Sequence, residues 1–156
     1  DQPTFYDDLS VWEHMEYVAR LHGVTDWEQH AADLLGALGL YDRADGLPNR
    51  FSRGLRQKTA LALGFVRPFD LLLVDEPFVG LDSAGKEALL GLLAGASEQG
   101  ATVVVATHEL SFVHTVGRIV ALRDGALVHD GGTAGVDIDR LVRTEDPAGE
   151  HDGERQ

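Results

Sequence analysis

Two adjacent carboxylates, Asp75 and Glu76, end an apolar run at residues 71–74 and are followed by Pro77. Such a run predicts a buried parallel strand that stops at the acid pair. Ligand sites of open α/β sheets lie at the carboxyl ends of their strands. There one carboxylate can hold Mg²⁺ while its neighbour orients or deprotonates a water, which is the chemistry of nucleoside triphosphate hydrolysis. Taken alone, the pair fits a charged turn after a strand equally well.

A histidine, His108, follows a second apolar run at residues 103–105. If the two strands are neighbours in a parallel sheet, both end at one edge, and the imidazole lies within reach of Glu76. A lone histidine at this position is usually an ordinary helix-start residue, so the functional interpretation depends on its pairing with the acids. As a general base, Glu76 would have to lie within hydrogen-bond distance of the attacking water.

Ser52 and Arg53 precede a predicted helix that begins at Gly54, and the free N–H groups and dipole at its start favour a negative ligand. Gly54 would let the backbone approach closely, and Arg53 adds positive charge to a chain whose net charge is −13. Serine is also an ordinary N-cap. We interpret the neighbouring cations Arg56 and Lys58 as part of a solvated helix face.

The elements that must position these residues follow from apolar periodicity and from glycine and proline breaks. Ser10 and Glu13 predict a capping box at the first helix, and Asp82 by itself is an N-cap. Predicted helices cover residues 11–22, 27–38, 54–66, 83–99 and 109–116. Predicted strands cover residues 70–75, 101–106, 119–122 and 126–129. The first two strands flank a helix and predict a right-handed parallel crossover, and the last two predict a hairpin around Asp124-Gly125.

Composition narrows the class of partner. The net charge of −13 argues against nucleic acid, since phosphate binding needs Lys and Arg. There is no cysteine, hence no disulfide framework. No apolar run approaches the roughly 20 residues that cross a bilayer, and no secretory signal opens the chain, so a membrane link would pass through a partner protein. Because the chain begins at Asp1 and its only methionine is Met15, we expect it to be a piece of a longer protein.

In this order and spacing, the motifs resemble those of the ATP-binding subunits of ABC transporters. Residues 51–58 resemble the signature motif, usually written L-S-G-G-Q, and residues 71–76 resemble Walker B with its catalytic glutamate. Residues 80–82 resemble the D-loop, His108 the H-loop histidine, and Gln2 the Q-loop glutamine. The resemblance covers residues 1 to about 131. Phe51, Arg53 and Leu55 depart from the signature pattern, in the style of ABC-2-type exporters.

The resemblance implies an α/β fold: the C-terminal half of a P-loop NTPase-like parallel sheet core with an inserted α-helical subdomain. Residues 1–10 would be the Q-loop region and residues 11–68 the helical subdomain with the signature motif. Residues 69–136 would be the C-terminal part of the ATPase core. By composition, and not by the resemblance, residues 137–156, with seven acids and three bases, are expected to form an acidic, partly disordered tail.

The resemblance also implies ATP and Mg²⁺ as ligands and roles for single residues. Glu76 and His108 would be catalytic, Asp75 and Gln2 would hold Mg²⁺, and the nucleotide-binding residues would be Ser52, Arg53, Gly54, Gln2 and Asp82. The partners would be a second ATP-binding subunit, identical or different, and a transmembrane permease docking beside residues 6–11. The protein would then be cytoplasmic and peripheral at the inner face of the cell membrane. Export is the favoured direction, and the transported substrate stays open.

The chain contains no G-x-x-x-x-G-K-S/T motif. In the family this Walker A loop precedes the Q-loop, so we expect it upstream of Asp1. We therefore expect the chain alone to hydrolyse no ATP and to bind nucleotide weakly. Two alternatives stay open: a non-catalytic module that binds a partner, and a soluble ABC ATPase. An upstream Walker A loop would favour the enzyme, and a start codon just before Asp1 would favour the module.

Overall fold

A computed structural model describes residues 3–110 and 112–137, and the chain divides after His108 into two compact units. The mixed α/β architecture agrees with the predicted fold class. The helices of the first unit are α1 (Val11–Leu21), α2 (Trp27–Ala37), α3 (Arg53–Phe65) and α4 (Ser83–Glu98), and its strands are β1 (Leu71–Asp75) and β2 (Thr102–Ala106). The strands of the second unit are β3 (Ile119–Arg123) and β4 (Ala126–Gly131). None of the described helices is long and apolar enough to span a membrane.

Helix α1 begins with the predicted capping box. The Ser10 hydroxyl accepts from the Glu13 N–H at 3.2 Å, and the Glu13 carboxylate accepts from the Ser10 N–H at 2.7 Å. The next two backbone N–H groups donate to the carbonyls of Gly46 and Ala44, at 3.0 and 2.9 Å. The connector between α2 and α3 thereby satisfies donors that a helix N-terminus leaves free.

We expect Ser10→Ala to lower the free energy of unfolding by about 1 kcal/mol at neutral pH, because the cap is lost. Hydrogen bonds from the Ser10 N–H and hydroxyl lower the pKa of Glu13. The contribution of Glu13 is therefore present above the ordinary glutamate pKa and is lost as pH falls through its lowered value. Urea denaturation against pH checks this, with Ser97→Ala on the exposed last turn of α4 as control. If both substitutions changed the free energy of unfolding equally, the predicted contribution of the Ser10 cap would be wrong.

Helices α1, α2 and α3 pack on one another. The indole rings of Trp12 and Trp27 lie 5.1 Å apart between α1 and α2. Among the apolar positions whose spacing predicted these helices, the buried ones are Met15, Ala19, Ala31, Leu34, Leu35, Leu38, Leu61 and Phe65, whereas Leu21 is 67% exposed. His14 ties the preceding loop to α1, since its Nε2 accepts from the Tyr6 N–H and its Nδ1–H donates to the Ser10 carbonyl.

Strands β1 and β2 are parallel neighbours connected through α4, as predicted, and their register aligns Asp75 with Ala106. The expectation of a fully buried strand is wrong for one face. Leu71 and Leu73 are 54% and 67% exposed, and Val104 on β2 is 49% exposed. The reason is tertiary: within the described residues this sheet has two strands, and their other face is the half-buried one.

The described part of the second unit contains the predicted hairpin of β3 and β4. Asp124 and Gly125 have φ values of 50° and 76°, the left-handed pair that a two-residue hairpin turn needs. The helix predicted over residues 109–116 is wrong. Within the described part of that stretch there is one 3₁₀ turn, Val113–Thr115. Its β-branched residues disfavour helix, and so short a segment cannot offset the unfavourable first turn.

Candidate functional site

The carboxyl edge of the parallel sheet brings the acid pair and the histidine together. Asp75 is the last residue of β1 and lies opposite Ala106, the last residue of β2. The Glu76 N–H extends the ladder by donating to the Ala106 carbonyl at 2.8 Å. The residues that follow each strand therefore leave the sheet side by side, as the sequence predicts.

The Glu76 carboxylate is held by its neighbours across the edge. Its Oε2 accepts from the Thr107 hydroxyl at 3.1 Å, and its Oε1 accepts from the His108 N–H at 3.1 Å. The same Oε1 lies 2.7 Å from His108 Nδ1. Because a carboxylate only accepts, Nδ1 carries the proton. The His108 side chain is 79% exposed, which leaves Nε2 accessible to a ligand.

Glu76 also has an unusual backbone. Its φ is 45°, in the left-handed region that non-glycine residues rarely adopt. This conformation costs about 1–2 kcal/mol and persists only where the surroundings hold it. Here the three hydrogen bonds to its carboxylate, the ladder bond of its N–H and the buried Pro77 provide that support. With this backbone conformation the carboxylate lies across the edge, in contact with His108.

The pKa of Glu76 is lowered by the balance of opposing effects. Desolvation is the largest single contribution and raises the pKa, but the hydrogen bonds from His108 and Thr107 together outweigh it. Glu76 is therefore ionised at neutral pH. An ionised carboxylate at the sheet edge can orient a water molecule and accept its proton.

We expect His108→Ala to raise the pKa of Glu76 toward its ordinary value, because the Nδ1–H bond disappears. In the wild type, the stability due to this carboxylate is present above the ordinary glutamate pKa and is lost as pH falls through the lowered value. In the variant this contribution is smaller, and its loss is complete at a higher pH, because the folded pKa lies closer to the ordinary value. Titration of the Glu76 carboxyl carbon by NMR measures the change. Thr107→Ser, which keeps a hydroxyl donor, is the control and should leave the pKa in place.

Asp75 presents an exposed carboxylate next to Glu76. It forms no side-chain hydrogen bond or ion pair with the residues that the structure describes. No group of three or more His, Cys, Asp or Glu side chains able to hold a metal occurs among those residues. Mg²⁺ is commonly held by one or two carboxylates together with water and phosphate oxygens. The single carboxylate of Asp75 fits that mode of binding.

The amino end of α3 carries the predicted anion-site residues. Ser52 caps the helix by accepting from the Leu55 N–H at 3.4 Å, and both Ser52 and Arg53 are exposed. Gly54 faces the loop after Glu76 so closely that a Cβ there would lie 2.6 Å from the Gly80 carbonyl oxygen. No hydrogen bond or ion pair joins Ser52, Arg53 or Gly54 to Glu76 among the described residues.

Asp82 caps α4 as predicted, accepting from the Gly85 N–H at 2.9 Å. It also lies 3.0 Å from Lys58 Nζ, and the Lys58 side chain is only 13% exposed. The interpretation of Lys58 as part of a solvated face is therefore wrong, because its partner lies 24 positions along the chain and no local pattern shows it. Sequence reasoning also missed the bonds from Thr107 to Glu76 and from Gln57 Nε2 to the Pro77 carbonyl. Gln2 lies outside the described residues.

Comparison with known proteins points to one group. The chain is 32% identical over 134 residues to the uncharacterized ABC transporter ATP-binding protein YthP of Bacillus subtilis (strain 168). It is 36% identical over 133 residues to the SkfA peptide export ATP-binding protein SkfE of the same organism. It is 34% identical over 126 residues to the macrolide export ATP-binding/permease protein MacB 2 of Yersinia pestis bv. Antiqua (strain Antiqua). These matches cover 84%, 83% and 80% of the chain.

A solved structure, described as the ATP binding subunit of an ABC transporter, has a TM-score of 0.83 and 27% identity to this chain. The match covers 90% of the chain and 64% of that structure. The chain likewise spans 57% of YthP, 56% of SkfE and 19% of MacB 2. No protein-family model matches the chain.

Proposed function

The homologues of this chain are ATP-binding proteins of ABC transporters, and on that premise we propose that it is the part of an ATP-hydrolysing transporter subunit that follows the Walker A loop. The observation that carries this proposal is the 2.7 Å contact between Glu76 and His108 at the carboxyl edge of a parallel sheet, directly after Asp75. A base, an imidazole and a free carboxylate at such an edge are the groups that phosphoryl transfer to water requires.

In this proposal, Asp75 and Gln2 hold Mg²⁺, which when bound neutralises charge on the phosphates. Glu76 orients the attacking water and accepts its proton, which its ionised state permits. His108 already donates from Nδ1 to Glu76. Its Nε2 can therefore donate to the γ-phosphate only from the doubly protonated ring, and that positive charge would lie between the base and the phosphate.

The exposed amino end of α3 is proposed to serve a second subunit. Ser52, Arg53 and Gly54 would bind the γ-phosphate held by that subunit, with the helix N–H groups as donors. The exposure of Ser52 and Arg53 supports this role. Asp82, at the end of the loop that follows Glu76, is 68% exposed and would connect the two sites. The second subunit is either a copy of this one or a different ATP-binding chain.

A transmembrane permease is the proposed further partner, and the membrane link would then pass through it at the cytoplasmic face. Two of the relatives are named for export, one of them as an ATP-binding/permease protein. The predicted docking region beside residues 6–11 offers an aromatic pair, Tyr6 and Tyr17, which are 54% and 44% exposed and joined through their hydroxyls at 3.4 Å. We propose export as the direction.

The apolar side chains on the exposed face of β1 and β2 support the proposed place of this chain in a longer subunit. Leu71, Leu73 and Val104 are each about half exposed or more. Continuous apolar surface on a sheet is normally covered by another element. We propose that the upstream part of the subunit, roughly one hundred residues by the usual size of such domains, covers this face and supplies the Walker A loop.

ATP hydrolysis by the full-length protein tests the proposal. We expect the full-length protein to hydrolyse ATP in a Mg²⁺-dependent reaction. Residues 1–156 alone should neither hydrolyse ATP nor bind it with micromolar affinity, because in this proposal the phosphate-binding loop lies in the upstream part. Phosphate release and calorimetry measure the two quantities. A folded full-length protein that carries an upstream Walker A loop and hydrolyses no ATP would contradict the proposal. Micromolar ATP binding by residues 1–156 would contradict the proposal that the upstream part supplies most of the phosphate contacts.

A further inference from the structure

Lys58 is one of only two lysines in the chain, and it is largely withdrawn from water. Its side chain is 13% exposed, and its Nζ lies 3.0 Å from Asp82 Oδ1. A buried ammonium is rarely tolerated without a partner. Asp82 is 68% exposed and is the acid that supplies this pairing. The pair joins the middle of α3 to the end of the loop that follows Glu76.

Two further contacts join the same helix face to the same loop. A Cβ at Gly54 would lie 2.6 Å from the Gly80 carbonyl oxygen, and Gln57 Nε2 donates to the Pro77 carbonyl at 3.3 Å. Positions 54, 57 and 58 are spaced i, i+3 and i+4, so they form one stripe on α3. That stripe contacts the beginning, the middle and the end of residues 77–82.

Asp82 is fixed from a second direction at the start of α4. Its Oδ1 accepts from the Gly85 N–H at 2.9 Å. A Cβ at Gly85 would lie 2.7 Å from both Asp82 Oδ1 and Lys58 Cε, so the absence of a side chain there makes room for the pair. The hydrogen bond from Lys58, followed by that from Gly85, lowers the pKa of Asp82. The carboxylate is therefore ionised and doubly held at neutral pH.

We infer that Lys58 is a positioning residue: through Asp82 it holds residues 77–82 on α3, so that the loop leaving Glu76 moves together with α3. The catalytic consequence rests on the proposed function. Any displacement of α3 on nucleotide binding is then transmitted to the loop that begins one residue after the base. Loss of Lys58 should reduce turnover more than ATP binding, because Lys58 acts on the geometry around Glu76 and touches no phosphate.

Amide hydrogen exchange on the full-length protein tests whether Lys58 holds residues 77–82 on α3. This measurement does not require ATP hydrolysis. The N–H groups of Val79 and Leu81 donate to the carbonyls of Glu76 and Phe78 within the loop. Lys58→Met, which keeps an apolar stem of similar length, should accelerate exchange at both amides, and Lys58→Arg should restore protection. Arg56→Met is the matched control, since it removes an equal charge from α3 off the stripe. Unchanged exchange in Lys58→Met, or equal acceleration in Arg56→Met, would overturn the inference.

A double-mutant cycle tests the catalytic half. Asp82→Asn removes the charge but keeps a good N-cap, so the variant should fold. We expect Lys58→Met to lower kcat by about tenfold with KM for ATP within about twofold. Asp82→Asn should lower kcat at least as much, because in the proposed function Asp82 also connects the two sites, and the double variant should be no slower than Asp82→Asn alone, as for a directly coupled pair. Independent, multiplying effects would overturn the inference. If the wild type hydrolyses no ATP, the proposed function fails, whereas the exchange experiment still decides the role of Lys58.

Discussion

The Glu76→Gln variant of the full-length protein is expected to lose ATP turnover by about 10²–10⁴-fold, the range that a positioned general base contributes, while still binding ATP and its partner subunit. Glutamine keeps the size and shape of glutamate but cannot accept the proton of the attacking water. The effect should therefore fall on kcat and leave nucleotide affinity nearly unchanged.

The structure explains why this substitution should leave the fold intact. The amide oxygen can still accept from the His108 N–H and Nδ1–H, which now meet at Oε1. The amide NH₂ would replace Oε2, and the Thr107 hydroxyl there can accept a hydrogen bond instead of donating one. The hydrogen bonds that support the strained backbone of residue 76 are thus preserved.

Phosphate release gives kcat, and calorimetry in the absence of turnover gives the affinity for ATP. Glu87→Gln, at an exposed position on α4, is the matched control and should retain full activity. Turnover at the wild-type rate in Glu76→Gln would remove Glu76 from its proposed role. Loss of ATP binding together with turnover would instead assign it a structural role.

Gly54→Ala is expected to lower the free energy of unfolding by about 1–3 kcal/mol, the usual effect of forcing an extra methyl group into a packed contact. The new Cβ would lie 2.6 Å from the Gly80 carbonyl oxygen. A backbone oxygen cannot move aside like the end of a flexible side chain, so α3 and the loop would have to separate. In the full-length protein we expect the same variant to impair turnover, since the displaced loop follows Glu76.

Gly64→Ala on the same helix is the matched control, because nothing lies within 4 Å of a Cβ built there. Alanine loses less backbone entropy than glycine on folding, so the free energy of unfolding of this variant should rise by about 0.5–1 kcal/mol. Urea denaturation of both variants measures the two changes. Opposite signs on one helix would isolate the contact with Gly80, whereas equal gains would show that the contact is not close in solution.

Features that depend on residues close together in the chain were predictable. The Ser10 and Glu13 cap, the Asp82 cap and the Asp124-Gly125 turn each involve groups at most three positions apart. Local residue preferences are enough to predict such bonds. The site at the sheet edge could be predicted for a related reason. Parallel strands joined by one crossover helix bring their carboxyl ends together, and the residues after each strand follow.

Features that depend on distant residues were not predictable in the same way. The approach of Gly54 to Gly80 and the bond from Thr107 to Glu76 join positions 26 and 31 apart. The left-handed conformation of Glu76 has no sequence signal, since glutamate before proline is ordinarily extended. The helix predicted at residues 109–116 is wrong for a different reason. The prediction used a local pattern in a segment too short to sustain a helix.

The amino-acid sequence by itself determined the order of the four longer helices and the four strands, the caps at Ser10 and Asp82, and the acid pair and histidine at the strand ends. Periodicity and capping act over one or two helical turns, so they can be read from neighbouring residues. Only the tertiary structure decided that Lys58 is buried against Asp82, that one face of β1 is exposed, and that Glu76 is bonded to His108 at 2.7 Å. Those outcomes depend on which distant groups exclude water from one another, and that is settled when the helices and the sheet pack together.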